Sequence, residues 1–144
     1  MAWFSVVKAA AWPMVKKAAG QVAVYVAAHP EAQDRLAQFG RRLADVQKAR
    51  TPEGKVRRGL EPIREHAREV IAGVADQSSP TAIQAEGWLH RADHIERALA
   101  ILEHRPRASR KQGLASVIGM ADALTAEVLM SLIDPPEGEG SSAG

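Results

Sequence analysis

Residues 79–103, SPTAIQAEGWLHRADHIERALAILE, decide the fold class. Trp88, Ala92, Ile95, Leu99 and Leu102 recur at intervals of four, three, four and three, the spacing that gathers apolar side chains on one face of an α-helix. Ser79 followed by Pro80 supplies a capping oxygen and a residue pre-set for the first helical position. HRPRA then breaks the segment, so a helix from 80 to about 103 is expected.

Downstream, Leu114, Val117, Ile118, Ala121, Leu124, Val128, Leu129 and Leu132 describe a second and wider apolar face. A helix with so broad a face belongs in the centre of a bundle. Ser109 with Gln112 reads as its capping box. Asp134-Pro135-Pro136 stops it, and EGEGSSAG is expected to be a flexible tail. The stretch 112–128 resembles a helix-turn-helix core, but its would-be recognition helix holds Asp122 and Glu127 and no Lys or Arg. Such a helix is poorly suited to phosphates or guanine edges. A continuous helix with Gly119 at a packing crossing explains the residues better, and no family follows.

Upstream, Leu60, Ile63, Ala67, Val70, Ile71 and Val74 place a helix near 61–75. RTPEGKVRRG (50–59) reads as a connector because it combines a proline, two glycines and four basic residues. Leu36, Phe39, Leu43 and Val46 mark a helix from Pro30 to about Ala49. The expected architecture is therefore all-α, an antiparallel bundle of four to five helices. One domain spans 1–134, with an amphipathic apolar N-terminal helix at 1–28 and the bundle at 30–134, and 135–144 form a short disordered tail. The narrow stripes of the second and fourth helices would also serve as coiled-coil seams.

The N-terminal segment MAWFSVVKAAAWPMVKKAAGQVAVYVAA carries only three charges and most of the aromatic residues. Phe4, Val7, Ala11, Met14, Ala18, Gln21, Tyr25 and Ala28 form one stripe at helical spacing, with Pro13 kinking the helix. Its longest charge-free run, Ala18 to Pro30, is 13 residues, short of the roughly 20 that span a bilayer. Lysine within the apolar stretch rather than before it also argues against a secretory signal. The segment reads as retained and non-spanning, a surface that packs on a core, on a partner or on an anionic membrane.

Residues 1–75 hold thirteen Lys/Arg against seven Asp/Glu, and residues 76–144 hold six against ten. Complementary halves of one bundle would account for this asymmetry. Arg41, Arg42, Lys48, Arg50, Lys55, Arg57 and Arg58 crowd into 18 residues, a basic patch of the kind that meets phosphates, although no aromatics interleave for base stacking.

Enzymatic chemistry has little to stand on. There is no cysteine, and nucleophile, P-loop and dinucleotide motifs are absent. Glu86, His90 and His94 are four residues apart beside Asp93, the spacing of helical metal ligands. The heptad nevertheless puts both histidines on the solvated side, where a metal would lack a dry pocket and a second helix. His66 and His104 stand as single residues.

The expectation is a non-enzymatic helical interaction or scaffold protein with no cofactor, metal or small-molecule substrate. It would be cytoplasmic and bacterial, attached to a protein partner, a second copy or the inner face of the membrane. Contact would run through Trp3, Phe4, Val7, Met14 and Tyr25 with Lys8, Lys16 and Lys17. The alternative is nucleic-acid binding through the basic patch.

Overall fold

The computed structural model describes residues 12–43, 46 and 48–133. Among these there are five α-helices and no strand: α1 Pro13–Ala28, α2 Gln33–Leu43, α3 Pro52–Gly73, α4 Pro80–Glu103 and α5 Arg107–Ile133. A 3-10 turn, Pro30–Ala32, separates α1 from α2, as the His29-Pro30 break requires.

Helices α3, α4 and α5 run antiparallel in succession. Arg57 near the start of α3 pairs with Glu103 at the end of α4, and His66 farther along α3 stacks on Trp88 in the first half of α4, ring centroids 5.7 Å apart. On the other side of α4, Leu102 packs at Gly113 near the start of α5, while Trp88 reaches Glu127 near its end. Helix α5 packs against all four others, and Val117, Ala121, Leu124, Val128, Leu129 and Leu132 are buried. It is long and apolar enough by composition to cross a bilayer, alone among the described helices, yet 56% of that window is buried in the bundle. The expected stripes Leu36/Phe39/Leu43/Val46 and Trp88/Ala92/Ile95/Leu99/Leu102 are buried throughout.

Part of the charge asymmetry is met by contacts between helices. Arg57 meets Glu103, and Arg64 meets Asp93 at 3.0 Å and Glu96 at 3.1 Å, tying α3 to α4.

Four local expectations are corrected. Residues 52–59 are helix, not connector: the Thr51 hydroxyl accepts the Gly54 N–H at 3.0 Å and Pro52 occupies the first turn. Pro62 therefore lies inside α3, where it lacks an N–H for the preceding turn. Burial of Val56, Gly59 and Leu60 against the rest of the core outweighs that loss. Helix α2 ends at Leu43 rather than near Ala49, and Val46 turns inward beside Gly59 and Trp12. Helix α5 begins at Arg107, so Ser109 lies within its first turn and is not a cap. Gly119 has open space around it, whereas the tight crossing falls at Gly113, where a Cβ would come within 2.3 Å of Leu102 Cδ2.

Candidate functional site

Pro13 starts α1 rather than kinking it. Trp12 is extended (φ −95°, ψ 117°) and its side chain accepts nothing from the first turn. The cap comes from the far end of the chain: Asp122 on α5 accepts from the N–H of Met14 at 2.9 Å and of Val15 at 2.8 Å. A buried carboxylate at a helix N-terminus satisfies two donors that the helix itself cannot pair. Asp122 is the single charged residue between Lys111 and Glu127, and a lone charge in a core helix signals a buried partner.

This cap orients α1. Val15, Ala18, Ala19, Val22 and Val26 face the core, so the expected stripe is displaced. Met14 is 51% exposed, Gln21 and Ala28 are also exposed, and Ala18 alone of that stripe's described members is buried. Tyr25 is half-buried and stacks on His29 with ring centroids 3.9 Å apart. Lys16 and Lys17 are exposed, and Val24 is 74% exposed. Trp3, Phe4, Val7 and Lys8 lie outside the described residues. The outward face of α1 thus carries Met14, Gly20, Gln21, Val24, Ala27 and Ala28, with two lysines at its start and no acidic residue.

The basic patch is split by the fold. Arg41, Arg42, Lys48 and Arg58 line one open groove of about 700 Å³ between α2 and α3, together with Gln38, Pro62 and the carboxylates of Glu61 and Glu65. Arg42 is engaged there by Glu65 at 3.2 Å and Glu69 at 2.5 Å. Arg57 is directed to Glu103 instead, and Arg50 and Lys55 do not line the groove.

Two polar clusters escaped the sequence reading. Arg64 is buried and reaches Glu61, Asp93 and Glu96. Burial disfavours its charge, but hydrogen bonds and attraction from Asp93 and Glu96 outweigh that and hold its pKa above the ordinary value. His66 packs between the Trp88 ring and the edge of Phe39, and burial pushes its pKa down. Their signal was faint because each partner sits on another helix.

His90 and His94 are exposed, but the second helix expected to be missing is present. Both line an apolar pocket of about 310 Å³ with Ile95, Met120 and Ala123. Among the described residues, no three His, Cys, Asp or Glu side chains converge as a metal-ligand set. Comparison with protein-family models, curated proteins and solved structures finds no match to this chain.

Proposed function

We propose that the protein is a non-enzymatic helical interaction protein that binds a protein partner or a second copy of itself through the outward face of α1. The observation that carries this reading is the exposure of Met14 and Val24 on a helix whose other face is already committed to the core. From Ala18 to Ala28 that helix has no charged side chain, so its water-facing side offers small apolar groups beside Gln21 that a second helix can approach closely. The apolar leader precedes this face directly, and Lys16 and Lys17 set its polarity.

Light scattering on full-length protein, with recovery of co-purifying proteins from the native cell, tests this against Val24→Glu. The charge should abolish association and leave the helical fold of the monomer intact, because Val24 is 74% exposed on its own bundle. Identical assembly and identical co-purifying proteins for both chains would refute the reading. Sedimentation with anionic liposomes, lost in Val24→Glu, would identify a membrane as the surface instead.

A second reading rests on the groove between α2 and α3, where four basic residues converge. It would take an anionic polymer such as nucleic acid. Arg41→Ala with Arg58→Ala should then weaken binding and flatten its salt dependence. The carboxylates of Glu61 and Glu65 in the same wall, and the pairing of Arg42, make this the weaker reading.

A further inference from the structure

The register of α4 on α5 creates a hollow on the surface of the bundle. Trp88 Nε1 donates to Glu127 at 2.9 Å, and Leu102 sits against Gly113. Between those two crossings of an antiparallel pair, Ile95 falls opposite Met120 and Ala92 opposite Ala123. Where the two alanines meet, neither side chain is long enough to fill the space between the helices. The result is a pocket of about 310 Å³, lined by His90, Arg91, His94, Ile95, Met120 and Ala123. That volume lies at the small end of the range for small-molecule sites, which combine mainly apolar walls with a few polar groups.

The walls of this pocket are mainly apolar, and Arg91 is its one permanent charge. No carboxylate lines it, because Asp93 is turned to Arg64 at 3.0 Å and Glu127 lies outside the lining. Glu127 instead holds Arg91 Nη1 at 2.7 Å while also accepting from Trp88. The guanidinium is therefore fixed at the pocket before any ligand arrives, which lowers the cost of binding. Among the described residues its other nitrogens make no hydrogen bond. A guanidinium offers five N–H donors in a planar fork that matches a carboxylate. One cation beside an apolar hollow suits a single negative charge on an apolar body, whereas a polyanion would need further cations and would meet Glu127. We infer that the α4–α5 pocket binds a compact apolar monocarboxylic acid, with its body against Ile95, Met120 and Ala123 and its carboxylate on Arg91. This inference is independent of the α1 surface.

The test titrates full-length protein with octanoate, followed by calorimetry and by the 13C-methyl resonance of Met120. Octanoate should bind one-to-one and shift that resonance, while acetate, which has the charge without the apolar body, should not bind. Arg91→Gln should weaken octanoate roughly tenfold or more, the scale of losing hydrogen bonds between charged groups, and should leave the weaker binding of octanol unchanged. The Arg91 side chain is 44% exposed, so this variant should keep the fold. Ala123→Leu fills the hollow and should abolish binding of both ligands. Octanoate should raise the thermal midpoint of the parent and not that of Ala123→Leu. Val24→Glu should bind octanoate as the parent does, which separates this pocket from the face of α1. Absence of saturable octanoate binding, equal affinity in Arg91→Gln and the parent, or an unmoved Met120 methyl at saturation would overturn the assignment.

Discussion

The carboxylate of Asp122 accepts the backbone N–H of Val15 at 2.8 Å across 107 positions of sequence. Together with the bond from Met14, it caps α1 from the middle of α5 and turns Val15, Val22 and Val26 inward. Met14 and Val24 are left on the opposite, water-facing side.

Asp122→Ala should lower global stability by about 2 kcal/mol, the upper range for losing a cap and stranding buried donors. Asp122→Asn, which keeps one acceptor, should cost less. Urea unfolding measures both, and hydrogen exchange should show the earliest loss of protection within 14–28. An unchanged urea midpoint for Asp122→Ala would mean that the two bonds contribute nothing.

Stability should decline as pH falls just below 6.5. Burial lowers the His66 pKa from its ordinary 6.5, with Arg42 and Arg35 acting in the same direction and Glu69 opposing. The unfolded chain therefore binds the proton more readily. The contribution is complete above 6.5 and is lost as pH drops through the depressed folded-state value. His66→Phe keeps a ring between Phe39 and Trp88 and should flatten this dependence. Parallel urea-midpoint profiles for the two chains in that window would refute the role of His66.

Arg64→Ala should cost about 2 kcal/mol, mostly through lost packing of a buried stem. Its three carboxylate partners are roughly half exposed, so water can solvate them once the arginine is gone. Arg64→Met should recover much of the loss. If thermal melts show Met no better than Ala, charge rather than packing holds α3 to α4 here.

Two glycines in α5 should respond in opposite ways to alanine. Gly119→Ala enters open space and should stabilise by about 0.5–1 kcal/mol through helix propensity. Gly113→Ala must displace Leu102, whose Cδ2 lies 2.3 Å from the added Cβ, and should be neutral or destabilising. Equal shifts in thermal midpoint would show that the crossing of α4 on α5 is loose.

Periodicity settled the helical class and the buried faces of α2, α4 and α5, because a side chain's place on a helix is a local matter of counting residues. Ser79-Pro80 marked the start of α4 for the same reason, since a cap and the donor it satisfies are neighbours. Tertiary contacts decided the rest. In α1 nine of the sixteen positions are Ala or Val, so composition discriminates poorly between faces, and the buried face is the one that packs on α5. Residues 52–59 look polar and glycine-rich in isolation, yet Gly59 is helical beside Trp12 and Val46. His90 and His94 were correctly assigned to the solvated side of α4, but Met120 joins them only through the register of a second helix. Local order along a chain is written in nearest neighbours; which surfaces meet depends on burial and pairing energies between residues far apart, and these exist only once the helices have packed.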